Sequence, residues 1–279
     1  MSSMIHQGRA AYAFFERNWN LTKRYWAWEI VWLFYNIVNS MSVTFIGEGA
    51  GGIANVKLSP ESTNRLILTL LIGTSVWSYL SVTFEGVTDM ITMERWEGTI
   101  EHTFMAPISR FTHLVGSCWF AIVHGLLFTC IQLFVVSLFF HLDLSNANYL
   151  TAAFMLILGS LSFIGLGIGA SVLPLLFTER GTQMSYIVRA ILLVVSGVYY
   201  SVTVLPGWMQ VLSIFSPATY VLNGLRAGLM DGAPIWSITI WNDIWPLIIA
   251  GIVSLPLGIY IFGVAERYAK RTGKLKRNG

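Results

Sequence analysis

Long runs of apolar residues alternate with short polar segments along almost the whole chain. A helix needs about 20 mostly apolar residues to cross the hydrocarbon layer of a membrane. The pattern therefore predicts an all-α membrane protein, in which a transmembrane domain over residues 27–265 contains six transmembrane helices. These helices are predicted over residues 27–46, 66–84, 114–140, 149–177, 186–205 and 244–264.

The segment before the first predicted span, residues 1–26, is expected to form a helix with two different faces. At about 100° per residue, basic side chains such as Arg17 and Lys23 lie on one side, and Phe15 and Trp19 lie on the other. Basic amphipathic helices of this kind lie in the interface of a membrane. The segment is therefore predicted to be a cytoplasmic interfacial helix, either as a simple anchor or as an anchor that also contacts a cytoplasmic partner.

The segment between the fifth and sixth predicted spans is too apolar for a free loop. Pro206 and Pro217 interrupt it, and each apolar piece that remains is too short to cross the membrane. Irregular backbone at membrane depth is tolerated only where protein buries it or where it lines a water-filled cavity. Residues 206–230 are therefore predicted to form short re-entrant helices on the extracellular side.

Basic residues are distributed unevenly between the segments that join the predicted spans. With the N-terminus inside, only Lys57, Arg65 and Arg226 fall outside, and all other Lys and Arg fall inside. Because cytoplasmic segments carry an excess of Lys and Arg, both termini of this multi-pass protein of the cell membrane are predicted to be cytoplasmic. The basic tail, residues 266–279, is expected to be attracted to anionic lipid rather than to nucleic acid.

A polar island interrupts the apolar chain between the second and third predicted spans. Only 11% of all residues are charged, against about a quarter in soluble proteins, yet residues 93–110 read MERWEGTIEHTFMAPISR. Ile100, Phe104 and Ile108 recur every four residues there and, with Met105 beside them, form an apolar stripe. A short amphipathic cytoplasmic helix is predicted, either as a bare connection or as an element that transmits force to a soluble partner.

The island resembles the coupling-helix signature of type 2 ABC exporter permeases, in which E-R-x-x-G-T, a hydrophobic residue and E precede a short apolar run, Pro and Ser-Arg. The matching residues are Glu94, Arg95, Gly98, Thr99, Glu101, Pro107, Ser109 and Arg110. The segment LPGWMQVLSIFSPATYVLNGLRAGL also resembles the extracellular re-entrant region of this family. The matching residues in that segment are Pro206, Pro217, Tyr220 and Arg226.

The resemblance implies a transport function that depends on a second kind of chain. Permeases of this family form homodimers or pairs of similar subunits, each seated on an ATPase subunit that binds ATP and Mg. The present sequence has no G-x-x-x-x-G-K-[ST] phosphate loop, which is consistent with a separate ATPase. The cytoplasmic coupling loop, residues 86–113, is then expected to contact that ATPase. The expected coupling residues are Glu94, Arg95, Glu97, Gly98, Thr99, Glu101, Pro107 and Arg110.

The resemblance also places the cargo pathway beside the second and fifth spans, at the interface between two copies. Polar residues on these spans are candidates to line it, although hydroxyl groups within membranes often only join helices to one another. The candidates are Thr74, Ser78, Ser81, Glu85, Ser196, Tyr199 and Tyr200. Aromatic and hydroxyl groups rather than charges favour an amphiphilic drug-like or lipid-like cargo, with a polysaccharide or a lipid-linked glycan as the alternative.

Two other classes of function are less favoured. An ion-coupled transporter needs acidic residues or broken helices near the membrane midplane, and the acidic residues here cluster at the ends of the predicted spans. An intramembrane enzyme is disfavoured because neither G-x-S-x-G nor H-E-x-x-H occurs. No catalytic residue is expected, and no metal site is expected because His124 has no second His, Cys or acid at ligand spacing.

Overall fold

The computed structural model describes residues 2–53, 59–106, 108–140, 145–177 and 179–273. Within these ranges the regular elements are helices, which confirms the all-α class. The α-helices are α1 (Ser2–Arg24), α2 (Trp26–Ile53), α3 (Pro60–Trp96), α4 (Ile100–Met105), α5 (Arg110–Ser137), α6 (Tyr149–Ala170), α7 (Val172–Leu176), α8 (Gly181–Val195), α9 (Gly207–Ile214), α10 (Pro217–Met230) and α11 (Ile238–Arg271), and one 3-10 turn lies at Val202–Val204.

Five helical segments in the described part of the chain are long and apolar enough to cross a membrane. They overlap the first, second, third, fourth and sixth predicted spans, so these five predictions are confirmed by length and composition. The segments are Trp26–Gly49, Glu61–Trp96, Arg110–Ser137, Tyr149–Leu176 and Ile238–Arg271.

Local sequence signals determine where three of the long helices begin. The side chains of Ser59, Ser109 and Asn148 each accept a hydrogen bond from the backbone N–H three residues later. These N-caps satisfy one of the free N–H groups in the first turn of α3, α5 and α6. The beginning of each of these helices is therefore set by residues within one turn of it.

The fifth predicted span differs from the structure. The sequence predicts one helix over residues 186–205, whereas α8 has 15 residues and ends at Val195. It ends there because Gly197 takes a φ of 68°, and left-handed backbone terminates a helix. At 1.5 Å per residue α8 is about 22 Å long, against about 30 Å for the hydrocarbon layer. The predicted boundaries are wrong, and helix length alone supports five crossings in the described residues.

Helix α3 lies at the centre of the bundle and packs against α2, α5, α6, α8 and α10. Glycines allow close approaches between α3 and its neighbours and between α6 and α11. A Cβ atom at Gly167 of α6 would lie 2.4 Å from the Phe84 carbonyl oxygen of α3, and one at Gly258 of α11 would lie 2.3 Å from that of Gly165. Small residues at these crossings let helix backbones touch, which is the usual way that membrane helices associate.

The two ends of the bundle are called the α4 end and the α10 end after the short helices that lie there. At the α4 end, Phe104 of α4 is buried in one apolar cluster with Ile91 and Phe262. At the α10 end, Leu222 of α10 is buried in a second cluster with Ile72. The short helices are therefore parts of the packed bundle.

The N-terminal helix α1 packs against the first turns of α5. The ring centroids of Phe15 and Trp119 are 5.0 Å apart, and a Cβ atom at Gly116 would lie 2.5 Å from the Ala11 carbonyl oxygen. Backbone and side chains of α1 thus contact a helix that is long enough to span the membrane. Phe15, which the sequence places on the apolar face of α1, is used in this helix packing.

Candidate functional site

The polar island forms a tight turn followed by a short helix at the α4 end. α3 ends in a Schellman motif, in which the Thr99 N–H donates to the Glu94 carbonyl oxygen at 2.9 Å and the Gly98 N–H donates to that of Arg95 at 3.1 Å. Gly98 takes a φ of 72°, the left-handed conformation that this motif requires and that glycine adopts without strain. Helix α4 begins two residues later, so the short helix predicted within the island is present.

Helix α4 buries one side and exposes the other. Ile100 and Phe104 are 1% and 2% exposed, whereas Met105 is 78% exposed. The prediction that Met105 shares the apolar stripe is wrong, because at 100° per residue its side chain points well away from those of the two buried residues. Glu101 and His102 are also exposed. The outward side of α4 therefore combines a thioether with charged and polar groups.

Glu94 is buried at the point where α1, α3 and α5 meet. Its Oε1 atom accepts a hydrogen bond from Arg17 Nη1 at 2.7 Å and lies 3.1 Å from His113 Nε2. The Arg17 Nη2 atom also lies 3.5 Å from Glu97 Oε2. A buried carboxylate is tolerated only when charged or hydrogen-bonding partners compensate its lost hydration. Glu94 therefore joins three helices just before the turn.

The two arginines of the island connect it to other helix ends. Arg95 donates to the Leu175 carbonyl oxygen at the end of α7. Arg110 donates to Glu266 of α11, with Nε 2.9 Å from Oε1, and to the Thr103 carbonyl oxygen of α4 at 2.8 Å. A cation at the last carbonyls of a helix compensates their unsatisfied acceptors. Arg110 thus caps α4 and links it to α11.

The exposed side chains between residues 96 and 105, just before and within α4, are called the α4 surface. Its members are Trp96, Glu97, Glu101, His102 and Met105. Trp96 is 73% exposed and Met105 is 78% exposed. Trp and Met are enriched in the cores of protein interfaces. An exposed pair of this kind among charged groups is suited to binding another protein.

The structure divides the predicted coupling residues into an inward group and an exposed group. The inward or half-buried residues are Glu94, Arg95, Gly98, Thr99 and Arg110, and the exposed ones are Glu97 and Glu101. Pro107 lies outside the described residues. Sequence reasoning missed Arg17 as a partner of the island, and also His113, Glu266 and Lys270. Only Lys270 carries a local signal, because it lies four residues after Glu266, with its Nζ atom 2.8 Å from Oε1.

The polar residues predicted to line a pathway on α3 make contacts within this chain. The hydroxyl oxygens of Thr74 and Ser40 are 3.0 Å apart, and Ser78 Oγ donates to Asn36 Oδ1 at 3.4 Å. These contacts join α3 to α2. Ser81 is buried. Two of the three hydroxyl groups thus serve helix packing in the described structure.

The remaining pathway candidates involve α8 and the turn after it. Glu85 forms an ion pair with Arg189 of α8. The hydroxyl oxygens of Ser196 and Ser216 are 2.6 Å apart, which ties the end of α8 to the start of α10. Tyr199 and Tyr200 are half-buried in the turn. The structure thus distributes these candidates over both ends of the bundle, with α3 and α8 in contact between them.

The residues predicted for the re-entrant region lie at the α10 end. Pro206 directly precedes α9, and Pro217 is the first residue of α10, a position that proline favours. The Tyr220 hydroxyl donates to a carbonyl at the end of α9 at 2.8 Å. Arg226 donates to carbonyls that follow α8, including that of Val198 at 2.7 Å. The Arg226 side chain is half-buried, and these carbonyl acceptors compensate its lost hydration.

The described residues contain no group of three His, Cys, Asp or Glu side chains that could hold a metal ion. His124 lies on α5, where its Nε2 atom is 3.2 Å from Glu29 Oε2 of α2. Its ring stands between Phe120 and Phe128, with centroid distances of 5.2 and 4.3 Å. His124 therefore contributes to the packing of α5 and to its contact with α2.

Comparison with known proteins yields one family and one set of relatives. The family model for ABC-2 type transporters matches residues 10–230, a range that contains the island and α10. The inner membrane transport permease YadH of Escherichia coli (strain K12) is 22% identical over 237 residues, which cover 83% of this chain and 91% of the relative. Proteins of the same name from Escherichia coli O157:H7 and Shigella flexneri match to the same extent.

Proposed function

The chain belongs to the ABC-2 type transporter family, and from this premise we propose that it is the membrane-spanning permease subunit of an ATP-driven exporter. Its apolar helices make it a multi-pass membrane protein, and its relatives are named transport permeases. The observation that carries the proposal is the α4 surface. It is exposed, yet the residues that flank it are held by charged contacts to α1, α5, α7 and α11.

The α4 surface is the docking site for a separate ATPase subunit in this proposal. Trp96 and Met105 supply apolar contact area, and Glu97 and Glu101 supply charge. The sequence has no phosphate loop of its own, so ATP and Mg bind to the partner. The inward coupling residues, such as Glu94 and Arg110, serve to hold α4 in place while the partner pushes on it.

The α4 end is cytoplasmic in this proposal, and the α10 end is extracellular. Arg17, Arg95, Arg110, Arg267 and Lys270 lie near the α4 end, in agreement with the excess of basic residues on the cytoplasmic side of membrane proteins. The fifth crossing along the chain is completed by α8 together with the irregular segment up to residue 205, and α9 and α10 re-enter the membrane from outside.

Two copies of the chain form the pathway, and the cargo is amphiphilic, either drug-like or lipid-like. The candidates on α3 and in the segment after α8 offer hydroxyl and aromatic groups, and the charge of Glu85 is neutralised by Arg189. Unpaired charge within a membrane is costly, so a lining of paired charges and hydroxyl groups suits a cargo with a large apolar part. Movement of the two α4 helices by the ATPases would open this pathway to one side or the other.

The proposal is tested by isolating the chain from its native membrane in mild detergent and identifying co-purifying proteins by mass spectrometry. We expect a protein with a phosphate loop to co-purify. The double variant Glu101→Lys/Met105→Asp should lose this partner, because it reverses a charge and places a carboxylate in the apolar part of the α4 surface.

Glu61→Lys is the matched control, since it reverses an exposed acidic residue at the α10 end. It should retain the partner. Absence of an ATPase from the wild-type preparation, or its retention by the double variant, would contradict the docking assignment.

A further inference from the structure

The end of α3 and the N-terminal helix share a charged contact that fixes α1 to the residues before α4. The Arg17 guanidinium binds Glu94 at 2.7 Å through Nη1 and approaches Glu97 to 3.5 Å through Nη2. The Glu94 side chain is fully buried, and that of Arg17 is 29% exposed. Two carboxylates on successive turns are thus spanned by one forked cation, a geometry that arginine provides and lysine does not.

His113 extends this contact to α5 and to α4. Its Nε2 atom lies 3.1 Å from the Glu94 oxygen that Arg17 also binds. Its ring centroid is 4.6 Å from that of Phe14 in α1 and 6.4 Å from that of Phe104 in α4. The cluster of Arg17, Glu94 and His113 therefore touches α1, α3, α4 and α5 at one point.

The backbone around this cluster is also closely linked to α4. The Thr99 N–H, at the first residue before α4, donates to the Glu94 carbonyl oxygen at 2.9 Å. A displacement of α4 is therefore transmitted through this backbone hydrogen bond to Glu94, whose side chain binds Arg17 of α1. Along α1, Ala11 is in backbone contact with Gly116 of α5, so that α1 is held at a second point.

We propose that Arg17 and His113 are positioning residues of the coupling mechanism, and that α1 moves together with α4 when the ATPase acts. This inference rests on the proposed function. It assigns the N-terminal helix a mechanical part in coupling through the Arg17–Glu94–His113 cluster, in addition to any role as a membrane anchor. Loss of the Arg17 charge should leave ATPase docking intact, because the α4 surface is unchanged except at Glu97, while α1 no longer follows α4.

The test uses hydrogen–deuterium exchange of the complete complex with its ATPase, with and without ATP and vanadate. In the wild type, the amide exchange rates of both α4 and α1 should change when nucleotide is trapped. We expect a change of about tenfold for the responding amides, which is within the usual range of coupling between sites. In Arg17→Gln, the response of α4 should remain and that of α1 should be lost. Arg9→Gln, which removes an exposed charge from the same helix, should respond as the wild type does.

A second variant is needed if the amides of α1 exchange rapidly in Arg17→Gln even without nucleotide, because no further response of α1 could then be measured. Arg17→Lys keeps a cation for the buried Glu94, so α1 should stay protected, and its response to nucleotide should be weaker than in the wild type because the fork to Glu97 is lost. An unchanged response in Arg17→Lys would then overturn the inference.

The outcomes separate this inference from the function on which it rests. If nucleotide changes amide exchange in α4 of the wild type and leaves that in α1 unaffected, the inference that α1 moves with α4 is wrong, and the permease assignment stands. If α1 of Arg17→Gln is protected and responds as fully as the wild type, Arg17 is not a positioning residue. If no ATPase co-purifies, or α4 itself does not respond, the proposed function fails first.

Discussion

The α4 end and the α10 end of the bundle are held together in different ways. At the α4 end, charged side chains from separate helices meet in buried or half-buried pairs, such as Arg17 with Glu94 and Arg110 with Glu266. At the α10 end, apolar packing and close backbone contact dominate, and the ion pair described there, Arg65 with Asp231, is exposed. The α4 end is joined by ion pairs between helices, whereas apolar packing at the α10 end is supplemented by hydrogen bonds to backbone carbonyls, such as that from Arg226 to Val198.

This difference matches the different tasks proposed for the two ends. A buried ion pair has one favourable geometry, and removal of one partner strongly destabilises the protein because the other charge stays buried without compensation. Such a pair therefore transmits the position of one helix to the next. Apolar packing depends on filled volume, and it tolerates changes that conserve volume better than it tolerates extra atoms. The α4 end is thus suited to receiving a displacement, and the α10 end is suited to closing the bundle. Three substitutions test the contrast.

The largest effect is expected for Gly73→Ala at the α10 end. A Cβ atom at Gly73 would lie 2.1 Å from the Val198 carbonyl oxygen, and backbone cannot yield as a flexible side chain can. We expect a loss of about 3 kcal/mol in the free energy of unfolding, at the upper part of the range for overpacking. Thermal unfolding in detergent, followed by labelling of the buried Cys118 thiol in a Cys130→Ser background, measures it.

Gly207→Ala is the control for this prediction, because a Cβ atom there meets nothing within 4 Å. It should unfold at the wild-type temperature. Equal midpoints for Gly73→Ala and Gly207→Ala would show that the α10 end does not depend on close packing.

A smaller effect is expected for Arg110→Ala at the α4 end. The change removes the charged hydrogen bond to Glu266 and the contact with the Phe104 ring, 4.6 Å from its centroid. We expect a loss of about 2 kcal/mol, typical of hydrogen bonds to charged groups. In a double-mutant cycle with Glu266→Gln, the two losses should be non-additive by about 1 kcal/mol.

Arg267→Ala provides the comparison on α11, since this neighbouring arginine is exposed. The free energy of unfolding of this variant should lie within about 0.5 kcal/mol of the wild type, as for most surface changes. Additive losses for Arg110→Ala and Glu266→Gln would show that the ion pair does not join α4 to α11.

The smallest effect is expected for Arg65→Ala at the α10 end. The pair with Asp231 is 3.1 Å long, but its side chains are 67% and 54% exposed. Exposed pairs contribute about 0.2–1 kcal/mol, and salt screens them. The difference in unfolding midpoint from the wild type should therefore be small at low ionic strength and vanish at high ionic strength. A loss as large as that of Arg110→Ala would remove the contrast between the two ends.

Several features of the candidate site could be predicted from short stretches of sequence. Gly98 is a local signal for the end of α3 at Trp96, although the second span was predicted to end at residue 84. The four-residue spacing of Ile100 and Phe104 indicates the buried side of α4. These signals are local, because a Schellman turn and one helical face involve residues within one or two turns. The wrong placement of Met105 is also a local matter, because at about 100° per residue its side chain lies well away from those of Ile100 and Phe104.

Other errors and omissions share a longer-range cause. The end of α8 depends on the left-handed Gly197, in a turn whose carbonyls are bound by Arg226 of α10. The partnership of Arg17 with Glu94 spans 77 residues of sequence. No periodicity in a single segment reports a contact at such a distance, so sequence reasoning treated Glu94 as a docking residue and Arg17 as an interfacial charge.

The sequence by itself determined that this chain is a helical membrane protein with a short helix in a polar island. It did so because apolar length, helix caps and turn glycines act over distances of a few residues. Only the tertiary structure decided which charged residues of the island face inward and which remain exposed. That division depends on the burial of each carboxylate and guanidinium among helices far apart in the chain, and on the cost of burying a charge without a partner.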